Sequence, residues 1–532
     1  MAAIVYQTDK RSGITYAYES VSRWDKEKQQ SRAKRTLIGR VDKETGKIVP
    51  TRGTNKKKNK PTESSKVPIV SARYFYGATY LLDHIGEKTG VAADLQACFP
   101  NSFRKILSLA YFMVLEDSSP ISRFAKWGQL HKHPFGDAIP SQRISDLFAA
   151  ITEEEKLQFF RLQAKRRMEN EYWAYDTTSI SSYSKFLKQV KHGNNKEHDR
   201  LPQINLALVF GEESNLPFYY RKLAGNILDV KTVTTLLADI DFLGLKKVNL
   251  VMDRGFYSQA NINGLYQNHL KFLIAVKRSL LFVKNQIDKV RDSIRDWTNY
   301  SKRHELFMTS VTIAWDYSQK RPYKGDILRG KRRMYLHIYY NPEQALEDEK
   351  KFTEHLLQLQ DELESGERNP QHEKQYEKYF SITSTPVRGL KLKVKQQAID
   401  EAKRNYGFFT LASNKIKDAG EALDNYRNKD LAEKAFGNLK DRLSLRRLEV
   451  SSELSLDGKL FVEFIALIYL SFIKKTMQGK ELFGKYTMQE VLDQFDVIEC
   501  FEHPGRKLHI GEITKKQEKL YQKFEIPPPS SL

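Results

Sequence analysis

The chain has 532 residues, with 88 Lys and Arg against 66 Asp and Glu, which gives a formal net charge of +22. Its length predicts about three domains, its 40% share of apolar residues excludes a wholly disordered chain, and its two cysteines are too few for a disulfide framework or a thiolate metal cluster. The excess of positive charge predicts a polyanionic partner, with nucleic acid as the first choice.

Positive charge is concentrated near the N-terminus. Residues 23–60 contain 14 Lys or Arg and 4 Asp or Glu, which accounts for +10 of the net charge. Short strands are predicted at 14–21 and 36–41. We therefore expect residues 1–65 to form a small basic β element with a linker. A solvated surface and a contact with the DNA backbone are both open interpretations of this charge.

The segment 66–169 is predicted to be a helical domain, because its apolar residues recur every three to four positions. One of its helices would carry Gln142 and Arg143 in its first turn. Base-reading residues occupy this place in helix-turn-helix proteins, so both side chains are candidates for binding DNA ends. A plain bundle helix is the alternative.

Two histidines lie shortly before this helix. His131 and His133 are two residues apart and have no acidic or cysteine neighbour. This pattern indicates a surface loop and argues against a metal site.

From residue 170 the pattern changes to strands and helices, and the order β-β-β-α-β-α-β predicts an α/β fold with a mixed sheet. Residues 170–280 and 415–480 would form this core, and 281–414 an inserted, partly β subdomain.

The apolar run 460–473 is too short to span a membrane, so we expect a buried helix in a soluble intracellular protein. The remaining region, 481–532, is a candidate for dimerisation. The strands are predicted at 172–176, 204–210, 218–223, 248–253 and 272–276, and the helices at 230–242 and 259–269.

Two aspartates follow strands of the predicted sheet. Asp176 ends the first strand and Asp253 the fourth, each within a turn. Residues at the carboxyl ends of parallel strands face the crevice in which α/β proteins place their sites. Neighbouring carboxylates repel each other unless they share a proton or bind a cation, and oxygen ligands favour Mg²⁺ or Mn²⁺. An ordinary turn-forming role for each aspartate is the alternative.

A helix predicted at 418–443 carries a polar face opposite its apolar stripe. At about 100° per residue, Tyr426, Lys429, Glu433 and Lys440 fall on this face. The face therefore combines a phenol, two ammonium groups and a carboxylate. A solvated face with an ion pair between Lys429 and Glu433 is the alternative.

The spacing of these four residues resembles a family signature. Tyr426, Lys429, Glu433 and Lys440 are similar to the tyrosine–arginine–glutamate–lysine signature of the DDE transposases of bacterial insertion sequences, of the insertion-sequence-four type. Lys429 departs from it, because the signature has arginine there. Arg427 could substitute, but it lies about 100° around the helix, so the phosphate contact would be a point charge and not a bidentate fork.

Three other blocks carry the same resemblance. Residues 175–179 and 253–257 look like the two aspartate blocks of the family, and 225–229 looks like a turn that often precedes the fourth strand. The resemblance covers about residues 170–475. It implies a ribonuclease-H-like mixed-sheet catalytic core with an inserted β-rich subdomain, preceded by a helical domain and the small basic β element.

The resemblance also implies site residues and cofactors. Asp176, Asp253 and Glu433 would be the catalytic residues and would hold two Mg²⁺ or Mn²⁺ ions. For Arg254 a phosphate contact and a salt bridge with a neighbouring acid are both open. The candidate DNA contacts are Tyr426, Lys429, Lys440, Arg254 and Arg427, together with Gln142 and Arg143.

Relatives place an aromatic residue of the insertion against a flipped base. Trp297 and Trp315 are the candidates for this stacking role. A role in the hydrophobic core is the alternative for each.

As a whole, the resemblance implies cut-and-paste DNA transposition. The protein would bind the terminal inverted repeats of an insertion sequence, cleave the double-stranded DNA and transfer the ends to target DNA. Two ends must be paired, so we expect a homodimer on DNA, in the bacterial cytoplasm at the nucleoid and without a membrane partner. The alternatives are a ribonuclease-H-like DNA nuclease and a catalytically inactive DNA-binding protein descended from a transposase.

Overall fold

The computed structural model divides the chain into two compact units, Met1–Val70 and Ser71–Leu532. The residues that the structure describes are 2–25, 30–50, 72–167, 171–184, 186–196, 200–244, 248–321, 325–385, 389–429, 437, 440–443 and 452–531.

The smaller unit is an antiparallel sheet in the order β1-β2-β3-β4, formed by β1 (Ala2–Thr8), β2 (Thr15–Asp25), β3 (Gln30–Val41) and β4 (Ile48–Val49). The strands predicted at 14–21 and 36–41 correspond to β2 and β3. Strand β1 was not predicted, because its single apolar cluster, Ala2 to Tyr6, has no clear alternation.

The larger unit combines helices with a large mixed sheet. Its strands are β5 (Ala72–Phe75), β6 (Tyr172–Ser181), β7 (Gln203–Gly211), β8 (Pro217–Ala224), β9 (Asn249–Met252), β10 (Lys271–Val276), β11 (Tyr300–Ser301), β12 (Leu306–Lys320), β13 (Ile327–Tyr340), β14 (Phe380–Thr385), β15 (Gly389–Val394), β16 (Phe408–Ser413), β17 (Glu499–Glu502) and β18 (His509–Ile510). Its helices are α1 (Gly77–Thr89), α2 (Val91–Cys98), α3 (Phe103–Leu115), α4 (Phe124–Leu130), α5 (Ser141–Ala150), α6 (Glu153–Arg167), α7 (Asp229–Phe242), α8 (Gln259–Gln267), α9 (Leu281–Val290), α10 (Pro342–Ser365), α11 (Glu373–Tyr379), α12 (Gln396–Lys403), α13 (Ala419–Asn428), α14 (Glu453–Gly479), α15 (Met488–Asp496) and α16 (Lys515–Lys523).

The large sheet has the order β11-β12-β13-β16-β10-β9-β6-β7-β8. Strand β9 runs parallel to β6 on one side and to β10 on the other, and the other neighbours are antiparallel. The strands and helices predicted between 172 and 276 are confirmed as β6 to β10 with α7 and α8, but the turn predicted at Asp176 is wrong, because β6 continues to Ser181 in its pairing with β7. This central part of the sheet is buried, which explains the nearly continuous apolar runs of β7 and β10.

Part of the segment 281–414 extends the large sheet. Strands β12, β13 and β16 continue it beyond β10 through the antiparallel pair β10–β16. The rest of the segment, α10, α11, β14, β15 and α12, forms a small module with its own core, built mainly from Leu359, Leu363, Tyr376 and Ile399. The sequence predicts one inserted subdomain for 281–414 and gives no indication that its strands extend the large sheet. The reason is that the pairing of β13 with β16 spans about 70 residues and leaves no local signal.

The helical layer packs on the sheet through α14. This helix contacts α3 and α5 on one side and β8 on the other, so its residues are buried around most of its circumference. Gly458 lies against the backbone of α5, and a Cβ atom there would overlap the carbonyl oxygen of Phe148. The predicted helical character of 66–169 and the buried helix at 460–473 are confirmed in the described residues.

The expectation that His131 and His133 lie in a surface loop is wrong. Their exposed fractions are 5% and 7%. His131 stacks on Trp127, and its Nε2 lies 3.1 Å from Oδ2 of Asp496, while Nδ1 of His133 lies 2.9 Å from the hydroxyl of Ser108. Asp496 and Ser108 are 365 and 25 positions away from these histidines, so the local pattern could not indicate these contacts.

The C-terminal region packs on the start of the helical layer. Strand β17 pairs with β5, and the hydroxyl of Tyr521 donates to the carbonyl oxygen of Gly77 at 2.8 Å. Among the described helices, none is long and apolar enough to cross a membrane.

Candidate active site

The strand-end carboxylates, Asp176 and Asp253, lie side by side where the pairing of β6 with β9 ends. Asp253 follows β9 as predicted, whereas Asp176 does not end its strand, because β6 continues to Ser181. Tyr175 of β6 is the register partner of Met252 of β9, and Asp176 and Asp253 come directly after these residues. Neighbouring strands are about 4.8 Å apart, so the two carboxylates leave the backbone as neighbours. The parallel pairing of β6 with β9 therefore brings together two residues that are 77 positions apart in the sequence.

The turn after β9 fixes one oxygen of the Asp253 carboxylate. Oδ1 accepts a hydrogen bond from the backbone N–H of Arg254 at 2.8 Å, at the start of the 3₁₀ turn Arg254–Phe256. The same Oδ1 accepts a hydrogen bond from the hydroxyl of Tyr426 at 2.7 Å. Among the described residues Oδ2 has no hydrogen-bond donor, so this oxygen is left to interact with another group.

The pKa of Asp253 is lowered by these contacts. Burial alone would raise it, but the hydrogen bonds from Tyr426 and from the Arg254 amide outweigh the burial effect, and the charges of Lys429 and Arg254 add to the lowering. Lys429 directly follows α13, and its Nζ lies 5.3 Å from the centre of the Tyr426 ring. The end of α13 thus supplies both a donor and a cation that keep Asp253 in its carboxylate form.

A lysine and a third carboxylate lie next to Asp176. The hydroxyl of Thr177 donates to Oδ1 of Asp229 at 2.6 Å. Nζ of Lys196 donates to the carbonyl oxygen of Thr177 at 2.6 Å and lies 3.6 Å from Oδ2 of Asp229 and 3.9 Å from Oδ1 of Asp176. One ammonium group therefore links the carboxylates of Asp176 and Asp229.

Neither Asp229 nor Lys196 is predicted as a site residue from the sequence. Asp229 ends the 225–229 block and is the first residue of α7, where an acidic residue is common because it interacts favourably with the helix dipole. Lys196 lies between β6 and β7 among other lysines, such as Lys188 and Lys191, and no periodicity distinguishes it. The block 225–229 was the signal that could have found Asp229, but nothing local could have found Lys196.

A cavity of about 770 Å³ opens beside Asp253. Arg254, Lys277, Arg278 and Lys429 contribute cationic side chains to its lining. Arg278 is engaged by nearby acceptors, whereas Arg254 and Lys277 are exposed and form no ion pair with a described residue. Exposed cations beside a carboxylate are an arrangement that can hold a phosphate group next to the acid.

The central part of the chain matches a known family. Residues 173–469, more than half of the chain, match the family model described as the transposase DDE domain. The chain belongs to this transposase family. Transposases act on DNA, and those with a DDE domain generally use divalent metal ions.

Comparisons with individual proteins add little to this assignment. No curated protein sequence matches the transposase. Among solved structures, a cryo-EM structure of a piggyBac transposase synaptic complex with hairpin DNA is similar over 78% of this chain and 70% of that chain. The sequence identity is 11% and the TM-score is 0.32, which is too low to support any argument about this chain.

The remaining predicted residues on the helix face are described only in part. Glu433 lies outside the described residues of the transposase. Lys440 is described and partly buried. Arg427 is directed away from Asp253, because its Nη1 lies 3.4 Å from Nδ1 of His304. Among the described members of this face, Tyr426 and Lys429 are thus the ones found at Asp253.

Gln142 and Arg143 form no described contact with the strand-end carboxylates. Both are exposed in the first turn of α5, as expected, and Nε2 of Gln142 donates to Oδ1 of Asp146 at 3.1 Å. The opposite side of α5 packs on α14. The two side chains therefore face solvent, as both a DNA contact and a plain bundle helix would allow.

The two candidate tryptophans have opposite environments. Trp297 is 82% exposed, whereas Trp315 is 8% exposed. The indole N–H of Trp315 donates to Oδ1 of Asn263 at 2.9 Å, and its ring contacts Phe282. Trp315 therefore occupies the hydrophobic core, which was the alternative to a stacking role. The indole ring of Trp297 is exposed and could stack on a base.

The strand-end carboxylates fit a hard divalent cation. Among the described residues, no group of three or more His, Cys, Asp or Glu side chains is arranged to hold a metal ion, and the third predicted ligand, Glu433, lies outside them. Asp253 nevertheless presents Oδ2 without a described donor, next to Asp176. Carboxylate oxygens of this kind are the ligands that Mg²⁺ and Mn²⁺ prefer.

Proposed function

We propose that this transposase binds the terminal inverted repeats of an insertion sequence and catalyses metal-dependent DNA cleavage and strand transfer. The observation that carries the proposal is the register of β6 and β9, which makes Asp176 and Asp253 neighbours inside the segment that matches the DDE family. A purely structural pair of aspartates would not need the arrangement of donors and cations around Asp253.

In this proposal Asp176, Asp253 and Glu433 hold two divalent cations. When bound, these ions stabilise the attacking and leaving oxygens of the phosphodiester. Tyr426 and the Arg254 amide orient Asp253 by fixing Oδ1, so Oδ2 would be the oxygen available to hold a cation. A ligand fixed before the ion arrives reduces the cost of ordering the site during the reaction.

Cationic residues around the cavity would bind the phosphates of the strand to be cut. Arg254 and Lys277 are exposed toward it, and Lys429 lies at the end of α13 beside Tyr426. The transition state of phosphodiester cleavage carries added negative charge, so ammonium and guanidinium groups that line the cavity would stabilise it. Lys440 is proposed to contact the same strand farther along.

A β-ribbon of the larger unit supports binding to duplex DNA. The first half of β13, Ile327–Arg333, is exposed, and Arg329, Lys331 and Arg333 alternate along it, so they share one face. They repeat every ~6.7 Å, close to two base steps of duplex DNA. Arg329 and Arg333 form no ion pair with a described residue, which leaves their charge for phosphates.

The finer features of the proposal follow the signature resemblance. They are membership of the insertion-sequence-four type, a homodimer that pairs two DNA ends, DNA contacts by residues 1–65 and by Gln142 and Arg143, base stacking by Trp297, and action at the bacterial nucleoid. The proposed domains are 1–65, 66–169, 170–280 with 415–480, 281–414 and 481–532.

Cleavage of a labelled duplex that carries the DNA flanking the gene, with Mg²⁺, tests the proposal. Wild-type protein should nick at the repeat boundary and join the ends to target DNA, whereas Asp253→Asn and Glu433→Ala should bind the duplex without cutting it. Asp241→Asn, an exposed aspartate of α7, is the matched control and should cut normally. Cutting without joining would indicate a nuclease, and binding without cutting by the wild type would indicate an inactive DNA-binding protein.

A further inference from the structure

The ammonium group of Lys196 lies where several oxygen atoms converge. Among the described residues, Nζ is 2.6 Å from the carbonyl oxygen and 3.0 Å from the hydroxyl of Thr177, 3.6 Å from Oδ2 of Asp229 and 3.9 Å from Oδ1 of Asp176. Carbonyl, hydroxyl and carboxylate oxygens are the atoms that also coordinate hard divalent cations. Lys196 therefore places a positive charge beside the Asp176 carboxylate, which is the group that a metal ion would bind.

We propose that Lys196 is a built-in counter-ion of the site, and that a divalent cation must displace it from Asp176 in order to bind. The inference rests on the proposed function, because it takes Asp176 as a metal ligand. An ammonium about 4 Å from Asp176 repels an incoming divalent ion and competes for the same oxygen. Metal binding and movement of the lysine are then coupled.

Asp229 gives the displaced ammonium a second partner. Oδ2 of Asp229 is nearer to Nζ than Oδ1 of Asp176 is, so Lys196 can leave Asp176 and keep an ion pair. Asp229 itself is fixed by the Thr177 hydroxyl and by its place at the start of α7. The lysine side chain is 36% exposed, which leaves its flexible stem room to move. Asp229 is therefore a positioning residue that acts through Lys196.

The counter-ion also explains how the chain tolerates its strand-end carboxylates before a metal ion binds. Asp176 and Asp253 are neighbours, and two adjacent carboxylates repel each other unless a cation or a proton lies between or beside them. Tyr426 and the Arg254 amide stabilise the charge of Asp253. Lys196 does the same for Asp176, so each carboxylate has its own stabilising partner.

Binding of Mn²⁺ to the DNA-free protein tests the inference. Free Mn²⁺ is measured by electron paramagnetic resonance. Asp176→Asn should abolish Mn²⁺ binding at Asp176, so the difference between this variant and the wild type identifies the ion bound there. Lys196→Met should lower the Mn²⁺ dissociation constant at least about fivefold, because a like charge is removed from the neighbourhood of the ion. Lys196→Arg should stay within about twofold of the wild type, since it keeps the charge. Lys191→Met, an exposed lysine of the same segment, should change nothing.

A double-mutant comparison tests the role of Asp229. Asp229→Asn should weaken Mn²⁺ binding in the wild type, because the lysine loses its alternative partner, and should have a much smaller effect in the Lys196→Met background. Equal weakening in both backgrounds would make Asp229 a direct metal ligand and overturn its positioning role. Thermal unfolding in metal-free buffer confirms that each variant is folded.

The outcomes separate this inference from the proposed function. An unchanged or higher dissociation constant in Lys196→Met overturns the counter-ion role, even if the wild type cleaves DNA. Failure of the wild type to cleave DNA, together with tighter Mn²⁺ binding by Lys196→Met, overturns the proposed function and supports the counter-ion. Absence of Mn²⁺ binding at Asp176 in both proteins overturns the counter-ion role as well.

Discussion

The hydroxyl of Tyr426 donates a hydrogen bond of 2.7 Å to Oδ1 of Asp253, across 173 positions of the sequence. This contact joins the end of α13 to the end of β9. It fixes one carboxylate oxygen and contributes to the lowered pKa of the acid. The helix face that the sequence singled out and the strand-end aspartate are therefore parts of one site.

Tyr426→Phe should slow DNA cleavage by about tenfold, because residues that orient a ligand typically contribute 10–100-fold to metal affinity or activity. The loss of one partly buried hydrogen bond should cost only about 1 kcal/mol of unfolding free energy. Single-turnover cleavage over a range of Mg²⁺ concentrations checks this, and the loss should shrink as Mg²⁺ is raised. Tyr257→Phe, at the end of the turn that follows Asp253 but without a described hydrogen bond to this aspartate, is the control. Equal rates for wild type and Tyr426→Phe would refute the orienting role.

The sequence predicted the central elements well, because their signals are local. Alternation and apolar runs located β6 to β10, and the turn predicted after the fourth strand located Asp253, whereas the turn predicted at Asp176 is absent because β6 continues to Ser181. The alternation of strands with helices predicted parallel pairing, and β9 runs parallel to both β6 and β10. The helical spacing also put Tyr426 and Lys429 on one face, and both are found at Asp253.

What the sequence missed depends on contacts between distant segments. Lys196 reaches Asp176 and Asp229 from a loop that has no periodicity. The ring of His131 lies within hydrogen-bond distance of Asp496, which is 365 positions away. In both cases the decisive partner comes from another part of the chain, so no window of neighbouring residues contains the information.

His337 should make the unfolding free energy depend on pH. The side chain is fully buried in β13, and burial lowers its pKa from 6.5 to about 4. The unfolded chain therefore binds a proton between pH 6.5 and 4 that the folded chain excludes, so stability is complete above pH 6.5 and falls as the pH drops through this window. The loss between pH 7 and pH 5 should be about 2 kcal/mol. Urea unfolding at both pH values checks it against His337→Gln, which should lose this part of the dependence; identical pH profiles would contradict the prediction.

Trp297→Ala and Trp315→Ala should have opposite effects. Trp297 is exposed, so its removal should change the unfolding free energy by less than about 0.5 kcal/mol but reduce DNA cleavage, if it stacks on a flipped base. Trp315 is buried and hydrogen-bonded to Asn263, so its removal should cost about 3–5 kcal/mol. Denaturant unfolding and gel analysis of cleavage products separate the two. Normal DNA cleavage by Trp297→Ala would contradict the stacking role.

Gly458→Ala should destabilise the packing of α14 on α5. The added Cβ would overlap the carbonyl oxygen of Phe148, which is backbone and cannot rotate away. Overpacking of this kind typically costs about 1–3 kcal/mol, although alanine is otherwise the better helix former. Gly479→Ala, at the end of the same helix and with open space around it, is the matched control and should be neutral or stabilising. Equal melting temperatures for the two variants would contradict the close approach.

The exposed cations of β13 should contribute to DNA affinity through phosphates. Exchange of Arg329, Lys331 and Arg333 for Gln should weaken duplex binding and reduce the slope of log Kd against log salt by up to about 2.7, since each phosphate contact contributes ~0.9. Fluorescence anisotropy at several salt concentrations measures this slope. The matched control removes the same charge from exposed lysines of the small module, Lys350, Lys391 and Lys393. If both triple variants lower the slope equally, only the net charge matters and the ribbon is not a binding surface; an effect confined to the ribbon would mean that the phosphates lie along its exposed face.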